Sequence, residues 1–379
     1  MAQQLRTDRI LFYTIVVMVF FGLVVVYSAS SVMAELKYHS TYYFIARQAA
    51  WAVAAFVVLM YLKNRDYRRY HQSAWAFAPL GIVLAMLVFV YFADPRRHRW
   101  LNFASVGIQP SEFAKPALAI FLAYFITRRV RAINDRHTLY PALVALGVLA
   151  ATVVIADLGT AVVLLITAAA VFYVAGLDRK YLVLAAASTV VLAGIAVAAK
   201  PYRLARVIGF VDHDYSLISK VDPSGKIKKY LEDSLASRDT NYQVHQSLIA
   251  VGSGGVFGEG LMQGQQKLLF LPEAHNDFIY AVVGEELGLW GTTAVLLGFL
   301  VILWRGLRLY WIAPDDFGRY LALGVTVSVA AQALINMSVV LDIGPTKGIP
   351  LPMISYGGSS LLSTLTSMGL LLSVSEHAG

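Results

Sequence analysis

Apolar residues in this chain fall in long, nearly unbroken runs, not in the alternation of a half-buried strand or the one-sided stripe of a soluble helix. Ten such runs lie near 10–31, 43–62, 74–92, 112–127, 139–156, 158–176, 181–199, 278–304, 319–340 and 357–374. Each approaches the roughly 20 mainly apolar residues that a helix needs to cross a bilayer. The pattern therefore predicts an all-α polytopic membrane protein with about ten transmembrane helices. The fifth and sixth runs are separated only by Asp157–Thr160, and the sixth and seventh by Asp178–Lys180, so 139–199 reads as a close-packed hairpin series. The first run, from Ile10 to Tyr27, exceeds the 7–15-residue core of a signal peptide and reads as a retained helix.

Composition supports the same class. Of 379 residues, 58% are hydrophobic and only 14% are Asp, Glu, Lys or Arg, against roughly 25% charged in an ordinary soluble domain. Mean hydropathy is +0.63. A water-soluble globule could not hide that much apolar surface. With no cysteine, thiol nucleophiles, thiolate metal sites and disulfides are excluded together.

The formal charge of +8 is explained by orientation. Arg6, Arg9, Lys63, Arg65, Arg68, Arg69, Arg128, Arg129, Arg131, Arg136, Arg179, Lys180, Arg305, Arg308 and Arg319 fall on one side of the alternating spans; Lys37, Arg96, Arg97, Arg99 and Lys347 fall on the other. Basic loops stay in the cytoplasm, which places both termini there and calls for no nucleic-acid partner.

One connection is unlike the rest. The segment 200–276, between the seventh and eighth spans, runs far beyond the usual loop length of about 4–6 residues and is expected outside the cytoplasm. Its first part is polar, with a turn at Asp222-Pro223-Ser224-Gly225. Its second part, including Val251-Gly252-Ser253-Gly254-Gly255-Val256-Phe257-Gly258, is glycine-rich and apolar, and is expected to fold against the spans.

Charges within spans are the most informative residues, because each costs about 2.5–3.5 kcal/mol at mid-helix and so needs a partner or a task. Glu112 and Lys115 open the fourth span three residues apart, on one helical face. That spacing fits an internal ion pair and fits equally a polar groove in which Lys115 meets an anionic ligand. Glu285 and Glu286 in the eighth span could carry protons in a transporter, but the residues favour bonds to neighbouring helices. Asp277 stands where the long loop meets the eighth span, beside His275. As sequence it reads first as a helix N-cap, and second as a partly desolvated carboxylate able to act as a base. Trp100 follows Arg96-Arg97-His98-Arg99 at an interface, and Arg47 opens the second span. No phosphate-cradling glycine loop, zinc motif or nucleophile triad is present.

Several blocks together resemble the SEDS family (shape, elongation, division and sporulation). They are Arg99-Trp100-Leu101-Asn102-Phe103 with Ile108–Lys115, Tyr242-Gln243 with Gln246–Ala250, Leu271–Ile279, Gly284–Gly288, and Pro345–Pro352 followed by Ile354–Ser360. The form of 345–348 and of Gln266-Lys267-Leu268 is similar to the division branch (FtsW) more than to the elongation branch (RodA). The blocks span most of the chain from the second half of the third span onward, and the resemblance implies one integral membrane domain of that type, 1–379.

What the resemblance implies is peptidoglycan glycosyltransfer from lipid II at the outer face of the bacterial cytoplasmic (inner) membrane. Asp277 matches the family's essential aspartate, which favours general base over cap. Lys115, Arg47 and Lys347, in that order, are the implied cations for the departing undecaprenyl pyrophosphate. Trp100, Glu112 and Ser111 fall in the implied substrate groove, and His275 beside the base. Mg²⁺ or Mn²⁺ could assist, although the sequence holds no ligand cluster. The implied partners are a class B penicillin-binding protein (a transpeptidase) and other divisome or elongasome membrane proteins. Competing readings are a lipid II flippase, the elongation enzyme and a pure scaffold; the absence of an inverted repeat or paired broken helices speaks against transport.

Overall fold

The computed structural model describes residues 8–94, 99–103, 106–198, 240–268, 270–344 and 348–377. The polar part of the long connection, its turn at 222–225, and Lys347 lie outside the described residues. Ten helices stand at the ten apolar runs: α1 (Arg9–Tyr38), α2 (Tyr43–Lys63), α3 (Ser73–Ala93), α4 (Pro110–Arg129), α5 (Arg136–Ala156), α6 (Leu158–Val174), α7 (Arg179–Ala198), α9 (Ile279–Ile312), α10 (Asp316–Val340) and α11 (Gly358–His377). Two elements were not expected from the pattern. The second part of the long connection begins with a helix, α8 (Thr240–Ser253), and a small antiparallel hairpin, β1 (Leu101–Phe103) with β2 (Val106–Ile108), precedes α4.

Among the described helices, α1, α2, α3, α5, α9, α10 and α11 are long and apolar enough to cross a membrane. Their outward faces, with Val17, Phe20, Val53, Val57, Phe89, Phe92, Trp304 and Trp311 exposed, form the apolar exterior of a multi-pass membrane protein. The helix α4 is far less apolar because it does not meet lipid. It lies at the centre, flanked by α3, α10 and α11, with nearly every residue from Pro110 to Ile126 buried. The helix α11 is covered in the same way and carries buried Ser359, Ser360, Ser363, Thr364 and Ser367. Small polar side chains allow close helix approach where lipid supplies no hydrophobic drive. Accordingly Ser363 Oγ donates to the Glu112 carbonyl of α4 at 2.6 Å, and a Cβ on Gly369 would sit 3.0 Å from the α2 backbone at Leu59.

One end of the bundle is fastened by charge. Arg305 pairs with Asp8 at 2.6 Å and Lys63 with Glu376 at 3.4 Å. Asp315, the N-cap of α10, accepts from Gly318 N, Arg68 Nε and Tyr67 Oη. Because Asp8 N donates to Ser375 Oγ at 2.8 Å, the start of α1 and the end of α11 meet at this end, among the arginine-rich loops. The opposite end gathers the hairpin, the segment after α8 and the α10–α11 connection.

Candidate active site

At that opposite end the glycine-rich segment turns back onto α9, as its composition suggested. Gly258 has φ +79°, and a Cβ there would lie 2.2 Å from the Glu286 carbonyl oxygen, so only glycine fits the close approach. The helix α9 is itself broken at Gly288 (φ 63°, ψ −155°). The carbonyls released by the break are taken by the segment: Glu259 N donates to Glu285 O at 2.9 Å and Gly260 N to Glu286 O at 3.0 Å. Both glutamates bond to neighbouring elements, the structural alternative favoured above. Glu285 accepts from Gln265 N and Gln266 N at 2.6 and 2.9 Å. Glu286 accepts from Ser28 Oγ at 2.7 Å and pairs with Lys267 Nζ.

Asp277 follows this segment, and it is not the N-cap of α9; Phe278 holds that position, without a side-chain cap bond. The helix begins two residues after the aspartate, at Ile279. The residue is half-buried. Its carbonyl accepts from Asn336 Nδ2 at 2.7 Å, and the same amide nitrogen donates to Ile349 O at 2.7 Å. Its carboxylate packs so closely on Gly348 that a Cβ there would come within 2.3 Å of Oδ2. The flanking backbone is also tied to the α10–α11 connection. Ser355 Oγ donates to Asn276 O at 2.6 Å, and Tyr356 N to His275 O at 2.9 Å. Gln48 of α2 secures that connection through Ser355 O and Gly357 N, both at 3.1 Å.

The pair at the start of α4 adopts the internal geometry of its two possible readings. Lys115 Nζ donates to Glu112 Oε2 at 2.7 Å and also to Gln332 Oε1 of α10; both charged side chains are buried. Gln332 Nε2 in turn donates to Pro350 O at 2.8 Å. Lys115 is thus joined to the same connection that packs on Asp277. Ser111 is buried and accepts from Gln109 Nε2 at 3.0 Å. That amide also reaches Asp157 Oδ2 at 3.2 Å, where Arg99 Nη2 approaches to 3.5 Å. Asp157 caps α6 through Gly159 N, and a Cβ on Gly159 would strike Ile349, so the α6 terminus also abuts the connection.

The other expected residues are placed as follows. Trp100 is half-buried beside the Arg99 guanidinium, 6.0 Å from ring centroid to Cζ. Arg47 is exposed on α2, 4.4 Å above the Tyr43 ring, and bonds Tyr356 Oη. His275 is buried with its ring 4.7 Å from Phe44 and 5.6 Å from Tyr356, and its Nδ1 has no hydrogen-bond partner. Burial pulls the His275 imidazole below its ordinary pKa, with Glu273 raising it and Lys37 lowering it further. A neutral imidazole facing aromatic rings makes it a packing element of the Asp277 segment. Gln332, Asn336, Ser355, Gln48 and Asp157 were not singled out by sequence. For Gln332 and Asn336 a signal existed: two amides four apart in an otherwise apolar run lie on one helical face.

The arrangement offers one half-buried carboxylate whose main chain is held from three sides, with cations on neighbouring elements. Such a group suits proton abstraction from a bound hydroxyl. Among the described residues no group of three or more His, Asp or Glu could hold a metal ion, so no ligand set for Mg²⁺ or Mn²⁺ is found.

Comparison with known proteins agrees with this architecture. The family model described as "Cell cycle protein", that of FtsW, RodA and SpoVE, matches residues 8–379. A probable peptidoglycan glycosyltransferase FtsW of Geobacter metallireducens is 37% identical over 98% of this chain and 95% of its own. The stage V sporulation protein E of Bacillus subtilis is 35% identical over 98% and 97%. In fold, the chain matches a subunit of a peptidoglycan synthase complex with a TM-score of 0.73 at 24% identity, covering 99% of both chains. It matches the rod shape determining protein RodA of Thermus thermophilus with a TM-score of 0.67 at 22% identity, covering 98% and 97%. A match across the whole length, in sequence and in fold, makes this chain a member of the FtsW, RodA and SpoVE family of membrane proteins, the SEDS family.

Proposed function

We propose that this protein polymerises lipid II into glycan strands at the outer face of the cytoplasmic membrane, with Asp277 as general base. The single observation that carries the reading is the half-buried Asp277 carboxylate set against Gly348, at the junction of the long connection and α9. Asp277 takes the proton of the 4-hydroxyl of the acceptor N-acetylglucosamine. The freed oxygen forms a bond to C1 of the donor N-acetylmuramic acid, and the bond from C1 to the pyrophosphate oxygen breaks. Undecaprenyl pyrophosphate leaves with inversion at C1. General-base assistance of this kind contributes about 10²–10⁴-fold.

Charge accumulating on the leaving pyrophosphate calls for cations. Lys115, Arg47 and Lys347 supply them in this reading. Arg47 is exposed to an incoming headgroup, whereas Lys115 must exchange a bond to Glu112 or Gln332 for one to substrate. In this reading Trp100 meets the substrate, and Glu112 and Ser111, both buried, shape the groove from beneath. Relatives named FtsW support a role in division, and the likeness to a subunit of a peptidoglycan synthase complex supports a class B penicillin-binding protein as partner. Transport of the lipid is the weaker reading, because Glu286 is paired with Lys267 and Ser28 and Glu285 Oε1 is held by two main-chain amides.

The test uses the purified protein with its cognate class B penicillin-binding protein and lipid II in detergent, where no sidedness exists. Glycan polymer is expected from the parent and none from Asp277→Asn. Polymer from Asp277→Asn at the parental rate ends the assignment of the base; no polymer from either ends the enzyme reading.

A further inference from the structure

The helix α10 presents two buried amides, Gln332 and Asn336, on one face, and their hydrogen bonds lead to opposite sides of the same place. Asn336 is only 1% exposed, yet its Nδ2 spends its two hydrogens on two main-chain carbonyls of different segments, Asp277 O and Ile349 O, each at 2.7 Å. The amide orientation is fixed by those partners, since two carbonyls can be met only by a donor. Its Oδ1 has no hydrogen-bond partner, so the acceptor end contributes nothing to holding the side chain. One turn away, Gln332 bonds Pro350 O through Nε2 and Lys115 Nζ through Oε1.

The two segments that Asn336 joins are those whose contact sets the carboxylate: Asp277 lies against Gly348, the residue before Ile349. Without the amide, two carbonyls of opposed segments would face each other, and α10 would still hold the 348–350 segment through Gln332 but lose this link from it to the Asp277 main chain. From this geometry we infer that Asn336 is a positioning residue for the reaction, acting through Asp277 by bridging its main chain to the 348–350 segment. The inference rests on Asp277 being the base. A donor is the feature required: Asp at 336 has the same shape but turns an acceptor toward both carbonyls, and Ala removes the bridge altogether.

Misplacement of a reacting group by about 1 Å can cost about 10²-fold in rate. In the lipid II assay with the cognate partner, Asn336→Asp and Asn336→Ala are expected to lower kcat by about that factor while KM for lipid II stays at the parental value. Hydrogen exchange on the same preparations should rise at 274–278 and 348–351, and stay parental along α4 and around the break in α9. Parental kcat in both variants overturns the inference. So does a rise in KM at unchanged kcat, or a rise in exchange throughout α10 and α4, which would mark a purely structural role. Asp277→Asn is run alongside: an active Asp277→Asn sinks the proposed base, whereas an inactive Asp277→Asn with fully active Asn336 variants sinks this inference alone.

Discussion

Among the described residues two lysine–glutamate pairs are buried, and they differ in where their remaining hydrogen bonds lead. Lys267 and Glu286, 3% and 1% exposed, close on themselves. Ser28 Oγ approaches both oxygens of Glu286, and Lys267 Nζ reaches the same serine at 3.0 Å. The cluster clamps the segment after α8 to α1 and α9 and goes no further. Lys115 and Glu112, 5% and 1% exposed, stay open: Glu112 Oε1 has no partner, and Lys115 passes through Gln332 to Pro350. Burial of charge therefore does not by itself mark a working site. The destination of the surrounding bonds separates a clamp from a group wired to the Asp277 segment.

The largest effects test that separation directly. Removing the cation from either pair strands a buried carboxylate, which typically costs about 3–5 kcal/mol. Lys267→Met and Lys115→Met should each lower the unfolding temperature in detergent by a comparable amount. Replacing the whole pair by apolar residues is often neutral. Lys267→Met with Glu286→Leu and Lys115→Met with Glu112→Leu should then both regain thermal stability. Only the first double variant is expected to regain glycan polymerisation. Recovery of polymerisation in both would erase the distinction and take Lys115 out of the reaction.

A second contrast comes from two glycines. Gly258→Ala places a Cβ against the Glu286 carbonyl at a residue with φ +79°, so backbone must shift; strain of this kind costs about 1–3 kcal/mol. Stability should fall while turnover per folded molecule persists. Gly348→Ala meets the far end of a side chain, the Asp277 carboxylate, which can swing aside. Here unfolding should move little and kcat should drop. Full kcat in Gly348→Ala would show that the carboxylate need not rest where the structure has it.

The difference between the two pairs also explains what could be read from sequence. Long apolar runs reveal helices because lipid-facing positions tolerate little else, and the ten runs coincide with ten helices. Glu112 and Lys115 were visible as a pair because one helical turn separates them. Lys267 was not, since its partners Ser28 and Glu286 lie in remote parts of the chain and only folding joins them. The break in α9 was hidden for a related reason: Gly288 looks like any span glycine until Gly255–Gly260 supply partners for the freed backbone. At the site, Asp277 was named from its neighbours in sequence, but its cap reading failed because the helix starts at Ile279. Gln332 and Asn336 carry a periodic signal, yet what they hold, main-chain carbonyls of two loops, leaves no mark on side-chain identity.

The smallest expected effect concerns acid. His275 is buried against Phe44 and Tyr356 in the open region, and burial holds its folded pKa below the unfolded value of about 6.5. A base with a depressed folded pKa binds fewer protons folded than unfolded as pH drops. Its contribution is therefore intact above about 6.5 and is lost as pH falls from there toward the folded value. The clamp at Lys267 includes no histidine. His71, at the charged end against Phe317, is lowered too, by burial and then by Arg128, with Asp315 opposing. His275→Phe keeps the aromatic contacts and removes the proton. Below about pH 6.5 it should lose less thermal stability than the parent, and exchange at 274–278 should no longer rise with acid. His71→Phe should leave exchange at 274–278 acid-sensitive and act on 67–71 instead. An identical acid profile at 274–278 in His275→Phe and the parent would show that this imidazole does not set the pH response beside Asp277.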